Sequence, residues 1–250
     1  MNSFKTTIPV HYYELNNHRE ASPVAVLNYL EETAIRHSDT VGCGIDRLQE
    51  ENKGWVLTRW SVNIQKYPSR NETAVIETWP SNFHRFYATR EFRITGAGES
   101  LLGRATSLWV FLDLNRKRPV RIPDFIQNAY GANPDRMIDD DFSDIPELDK
   151  PEGSLSFRVR LSDIDSNDHV NNTRYAEWML EAAPLCLHTD FRLSALEIAY
   201  KKETGYGSSV ISEYATAESS GTGETLLHRI LDSGTGTELV RARTVWLPRS

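Results

Sequence analysis

Ser162-Asp163-Ile164-Asp165-Ser166-Asn167-Asp168-His169-Val170-Asn171-Asn172-Thr173-Arg174-Tyr175-Ala176-Glu177-Trp178-Met179-Leu180-Glu181 is the stretch on which the reading of this chain turns. Its first eleven residues hold three acids, three Asn and one His, and an amphipathic pattern follows at once. Asp, Asn and Ser at this density build turns and helix caps. Set against a helix N-terminus, the same residues also make a site for acid–base chemistry. Free backbone N–H groups and the positive end of the helix dipole lie there. The helix is expected to run to about His188, with Pro184 kinking or ending its regular part.

Outward from this stretch, strands are predicted at 155–161 before it and at 195–202, 208–218, 224–231 and 238–247 after it. The first half repeats the plan. A strand is predicted over 4–15, then a polar turn at Asn16-Asn17-His18-Arg19-Glu20. Ser22-Pro23 then starts a helix, with Ser as N-cap and Pro in the first turn. Val24, Leu27, Leu30, Ala34 and Ile35 give that helix an apolar face, and Gly42-Cys43-Gly44 should stop it. Strands follow at 55–64, 73–79, 86–95 and 101–112.

Both halves therefore read strand, polar turn, helix, antiparallel strands. Setting Leu30-Glu31 on Leu180-Glu181 without gaps places Asn17 on Asn167 and Ser22 on Asn172. Residues 104–110 likewise resemble 241–247. One long helix wrapped by an antiparallel sheet is the hot-dog unit. The predicted fold is α+β, a tandem double hot-dog with a continuous sheet. The expected boundaries are 1–127 for the first copy, 128–150 for a linker with one short helix, and 151–250 for the second copy. In this alignment Leu15 and Arg19 stand where the second copy has Asp165 and His169, so the chemical residues fall in one copy only.

Composition narrows the function. A net charge of −7 argues against general nucleic-acid or anionic-membrane binding. No apolar run is long enough to span a bilayer, and no secretory signal opens the chain. Cys43 and Cys186 make neither a disulfide framework nor a zinc set. A cytoplasmic protein is the expectation.

The run 163–172, followed by Tyr175, Trp178, Glu181 and Pro184, resembles the motif of the acyl-acyl-carrier-protein thioesterases of plants and bacteria. Tyr13-Glu14, Arg19, Ala21, Thr78-Trp79-Pro80-Ser81 and Arg85-Phe86-Tyr87-Ala88-Thr89-Arg90 extend the resemblance to the first half. Since plant members carry a transit peptide and this chain starts directly at the fold, it is expected to be a bacterial member. The resemblance implies hydrolysis of the thioester between a fatty acyl chain and acyl carrier protein, with an acyl-binding first copy and a catalytic second copy. It places the catalytic residues at Asp165, Asn167, His169 and Glu203. Where plant members often carry Cys, this chain has Thr204, so a papain-like triad is not available to it. Glu203 then activates water as general base. His169 shares that role or orients the attacking group. Asp165 orients its neighbours or attacks the carbonyl itself. An amide of the Asn171 region is the candidate oxyanion donor. Trp79 and Phe83 are candidates for the acyl-binding wall.

Plainer readings compete for several residues. Asp165 and Asn167 alone are most simply an Asx-turn. Asp163, Asp165 and Asn167 have the 1-3-5 spacing of a calcium loop, but Asp168 and Arg174 replace its Gly and Glu. No metal or cofactor is expected. Asp163 and Asp168 are assigned turn and solvent roles, Asn172 the helix start, and Cys186 a buried structural place on the helix. Arg116, Lys117, Arg118 and Arg121 form a solvated loop or a contact for the acidic carrier protein. The expected partner is acyl carrier protein bearing a fatty acyl-phosphopantetheine, and the chain is expected to be a monomer or a homodimer. The alternatives are a coenzyme A thioesterase, a noncatalytic acyl-binding protein and a dehydratase.

Overall fold

In the computed structural model, which describes residues 3–249, the chain divides into two compact units, Met1–Phe142 and Ser143–Ser250. The first contains β1 (Phe4–Pro9), α1 (Pro23–Thr40), α2 (Ile45–Glu50), β2 (Lys53–Ile64), β3 (Thr73–His84), β4 (Tyr87–Thr95), β5 (Leu101–Asp113), β6 (Arg118–Pro119) and α3 (Asp124–Tyr130). Its strands pair in the order β1-β3-β4-β5-β2, with β6 beside β5. The second contains β7 (Gly153–Arg158), α4 (Asn172–Ala182), α5 (Leu185–Asp190), β8 (Phe191–Tyr200), β9 (Ser209–Ser220), β10 (Gly223–Asp232) and β11 (Glu238–Pro248). Its order is β7-β9-β10-β11-β8, the same path through a second copy. Each unit is a helix laid against an antiparallel sheet, the hot-dog arrangement.

Local chemistry explains the helix limits. Ser22 accepts a hydrogen bond from Ala25 N at 3.1 Å and caps α1, with Pro23 behind it. Gly42 takes the left-handed conformation just beyond the helix end, at φ 69°. In the second copy the helix is shorter than predicted. Pro184 offers no N–H and forces Ala183 out of the helical region, to ψ 152°, so α4 ends at Ala182. Pro184 then caps the separate α5.

The first predicted strand also ends early. Pro9 is its last residue, and Tyr12–Glu14 form a 3-10 turn instead. By contrast, β3 runs past Trp79, through Pro80. Among the described residues the pairing with β1 reaches only Phe4↔Thr78 and does not include Pro80, which has no N–H to give a ladder. Asn133 N–H donates to Pro80 O on that side at 3.0 Å.

Residues 131–150 are less free than a linker. Trp79 Nε1 donates to Asp135 O, and fully buried Glu91 accepts from Met137 N at 3.0 Å and faces Arg136 Nε at 3.1 Å. Those contacts pin the first part of the segment to the first unit. Ile145 and Leu148 are buried in the second unit, where their carbonyls accept from Arg241 and Arg229.

The cores follow from the alternation of the strands. Trp60, Ile76, Phe92 and Ile94 are buried in the first unit with Leu27 and Leu30 of α1. Ile198, Ile230 and Trp246 are buried in the second with Met179 of α4. The predicted match of 104–110 with 241–247 reappears as one hydrogen bond made twice. Trp109 Nε1 donates to Ser107 Oγ at 2.8 Å, and Trp246 Nε1 donates to Thr244 Oγ1 at 2.9 Å.

Candidate active site

The loop between β7 and α4 is tied down at its base. Asp163 is fully buried and accepts from Arg160 N at 2.8 Å, Arg160 Nε at 3.1 Å and Arg160 Nη2 at 2.9 Å. Burial alone would push this carboxyl up. The hydrogen bonds and charge of Arg160, with Arg174 beyond, outweigh it and hold the group below the ordinary carboxylate range. The solvent role expected for Asp163 is therefore corrected: it is the loop's anchor. Replacing it with Ala should cost about 2 kcal/mol, the scale of a lost hydrogen bond to a charged group. Its carboxylate contributes stability above its unfolded pKa, and that contribution fades as pH falls through the lower folded value. Urea titration of Asp163→Ala at neutral pH checks the first point; an unchanged midpoint would remove the anchor role.

Above the anchor, Ile164 and Val170 form an antiparallel bridge that closes the loop. Asp165 N donates to His169 O at 2.9 Å, and Asp165 Oδ1 accepts from Asn167 N at 2.8 Å. Asp168 sits at the tip in the left-handed region, at φ 61°. Asp165 is thus the Asx-turn residue of the loop.

Glu203 arrives from the end of β8. Val170 N donates to Thr204 O at 3.2 Å, which brings the residues preceding each together. His169 Nε2 lies 3.1 Å from Glu203 Oε2. Among the described residues no group of three or more His, Cys, Asp or Glu gathers as metal ligands would.

The start of α4 can be accounted for amide by amide. Asn171 N donates to Asp163 O at 2.9 Å, Thr173 N to Asn171 Oδ1 at 2.9 Å, and Arg174 N to Asn171 O at 3.0 Å. Within the Asn171 region, where an oxyanion donor was expected, the Asn171 amide is therefore committed to the loop anchor. The first helical amide, that of Asn172, is the remaining candidate at the positive end of the helix.

The first copy contains the same loop, one residue out of the predicted register. Its 3-10 turn ends at Glu14, its bridge joins Leu15 to Ala21, and its N-cap is Ser22. These match Asp163, the Ile164–Val170 bridge and Asn171. Asn16 Oδ1 accepts from His18 N at 2.9 Å, as Asp165 Oδ1 does from Asn167 N. Arg19, at φ 62°, matches Asp168. Asp165, Asn167 and His169 thus correspond to Asn16, His18 and Glu20, and the earlier pairing with Leu15 and Arg19 is corrected. The helices agree, since fully buried Leu30 falls on fully buried Met179. Glu14-Leu15-Asn16 against Asp163-Ile164-Asp165 was the signal for this register.

Trp79 and Phe83 belong to the first unit. Trp79 is buried, with Arg93 over its ring. Phe83 is partly buried beside the apolar cluster of Cys43, Leu48, Phe111, Ile122, Ile126 and Tyr130. Cys186, expected to be buried, is exposed. Leu187 is the buried residue of the short α5, which turns Cys186 outward. No helix of the described residues is long and apolar enough to cross a membrane.

Comparison with known proteins places this loop and helix in a family. Residues 1–130 match the acyl-ACP thioesterase N-terminal domain and residues 147–248 the C-terminal domain. The chain is 31% identical to the chloroplastic palmitoyl-acyl carrier protein thioesterase of Cuphea hookeriana, over 99% of its own length and 63% of that protein's. It is 30% identical to the chloroplastic dodecanoyl-[acyl-carrier-protein] hydrolase of Cinnamomum camphora, over 98% of this chain and 68% of that one. The chain therefore spans just under two thirds of the length of the Cuphea relative. Among solved structures, the 12:0-ACP thioesterase of Umbellularia californica superposes with a TM-score of 0.89 at 26% identity, covering 99% of this chain and 95% of that one. With both halves matched in order, the chain belongs to the acyl-ACP thioesterase family.

Proposed function

We propose that this chain hydrolyses the thioester joining a fatty acyl group to the phosphopantetheine arm of acyl carrier protein, releasing the free fatty acid and the carrier thiol. The observation that carries this reading is the His169–Glu203 pair, 3.1 Å apart, with His169 in the loop that leads into α4 and Glu203 in the segment that follows β8. Family membership supplies the reaction class.

Glu203 takes a proton from water, and the hydroxide oxygen bonds to the thioester carbonyl carbon. The carbonyl oxygen becomes an oxyanion, and the Asn172 amide with the helix N-terminus stabilises it. Collapse breaks the C–S bond, and the thiolate takes up a proton through His169. Asp165 holds the loop and, through it, Asn167. The first unit binds the acyl chain, with Trp79 and Phe83 on its wall. The free thiols of Cys43 and Cys186 suit a reducing, cytoplasmic compartment.

Matched acyl-carrier-protein and coenzyme A substrates, with products identified by mass spectrometry, test the reading. Free fatty acid from the carrier substrate is expected, with kcat/KM favouring it by about tenfold or more, roughly 1.4 kcal/mol. Preference for coenzyme A would make the chain a coenzyme A thioesterase. Binding without turnover would make it an acyl-binding protein, and an enoyl thioester product a dehydratase.

A further inference from the structure

His169 and Glu203 are both exposed to solvent, with 40% and 52% of their side-chain surface accessible. An ion pair or hydrogen bond in such a setting holds little by itself. Something other than mutual attraction must fix the base toward the His. The backbone does part of this, because Val170 N donates to Thr204 O one residue beyond each partner.

The other end of the Thr204 residue is also fastened. Its N–H donates to the Tyr175 hydroxyl at 3.2 Å. Tyr175 lies in the first turns of α4, is buried, and packs edge-on against Trp178 at 5.4 Å and Tyr200 at 6.1 Å. Tyr200 in turn donates its hydroxyl to Asn172 O at 3.2 Å. The hydroxyl of Tyr175 is thus a fixed point on the helix whose N-terminus faces the reaction.

The first copy shows what the fold alone requires. Ala21 N donates to Pro68 O at 2.9 Å, the counterpart of Val170 N to Thr204 O. The carbonyl bridge is therefore common to both copies. The hydroxyl clamp is not. Pro68 has no N–H to give, and Val26, which corresponds to Tyr175, has no hydroxyl to receive it. Both halves of the bond are missing together from the copy that lacks the His–Glu pair. A hydroxyl needed merely to close this helix onto its sheet would have no reason to follow that pattern.

We propose that Tyr175 is a positioning residue for Glu203: its hydroxyl holds the Thr204 N–H, and so fixes the strand end that aims the carboxylate at His169 and the attacking water. The phenol retains its proton throughout the working range. Burial pushes it up to about 12, and the nearby Glu203 and Asp165 charges add to that against the Thr204 hydrogen bond. Tyr175 acts through Glu203, and its role rests on Glu203 being the base. It also gives position 204 a use independent of its side chain, since both bonds are made by the main chain of Thr204.

The test is Tyr175→Phe, alone and with Glu203→Gln, in the full chain with an acyl-carrier-protein substrate. Phe keeps the ring contacts, so the fold should hold. We expect kcat to fall about tenfold with KM within about twofold. In the Glu203→Gln background the same change should cost less than about twofold, because the clamp then has no base to position. Thr204→Pro breaks the bond from the donor side and should show the same split, which keeps the test open if Tyr175→Phe fails to fold. Full turnover in Tyr175→Phe beside an impaired Glu203→Gln overturns the clamp alone. So does a full multiplicative loss in the double variant. Full turnover in Glu203→Gln overturns the base assignment, and the clamp's purpose with it.

Discussion

Glu203→Gln is expected to lower kcat by about 10²- to 10⁴-fold, the range of a general acid–base contribution, with KM little changed. The substitution keeps the shape of the side chain and removes its ability to take a proton. The side chain is half exposed, so the fold does not depend on its charge. Asp165→Asn is the informative companion. The first copy has Asn16 in that place, making the same turn to His18 N at 2.9 Å. Asn at 165 should therefore preserve the loop, and any loss of turnover reports the carboxylate's chemistry rather than its geometry. Single-turnover kinetics of both variants separate the roles. Near-normal turnover in Glu203→Gln with a dead Asp165→Asn would transfer the central role to Asp165, as nucleophile.

The repeat was legible because burial imposes the same demand on both copies. Alternating strands, a capped helix and the Arg-Ala pair at residues 104–105 of β5 and 241–242 of β11 recur for that reason. The register of the loop was harder to read. Leu30-Glu31 and Leu180-Glu181 look identical as letters, yet Leu180 stands one place beyond the fully buried Met179. Helical periodicity tolerates a one-residue error because neighbouring positions on an apolar stripe are both buried. The hydrogen bonds of the turn do not, and they fix Asp163 on Glu14. The buried anchor at Asp163 was hidden for a related reason. An acid in a polar run reads as solvated until Arg160, three residues away, is seen to wrap it. The break at Pro184 and helical residues to about His188 were both legible, whereas the separation of α5 from α4 as a helix of its own was not. Nothing in the letters alone tells a kink from a stop. Position 204 shows the limit of residue-type reasoning most clearly. Its side chain drew attention, while its N–H and C=O make the contacts.

His228→Phe is expected to make the protein markedly less sensitive to acid while leaving it at least as stable at neutral pH. His228 is fully buried on β10, with Nε2 2.8 Å from Thr244 Oγ1 and no hydrogen-bond partner for Nδ1 among the described residues. Thr244 Oγ1 already accepts from Trp246 Nε1. Burial lowers the imidazole pKa from 6.5 to about 3. The folded state therefore keeps this group neutral where the unfolded chain protonates it. Below about pH 6.5 the unfolded state binds the additional proton, so stability falls as pH drops toward about 3. At about pH 4.5 the penalty is on the order of 2–3 kcal/mol. His37 in the first unit, lowered to about 3 by burial and by Arg90, pulls in the same direction. The fold itself supplies the replacement. His228 pairs with Ala242 as Phe92 pairs with Ala105, so the first copy already places Phe at this point of the sheet. Phe fills the space without an orphaned nitrogen, and burying one unmade polar contact fewer favours the folded state. Urea titrations at about pH 7 and about pH 4.5 decide the matter: the gap between the two midpoints should narrow in His228→Phe. An unchanged gap would mean that His228 does not titrate in this window and that carboxylates such as Asp163 govern acid unfolding.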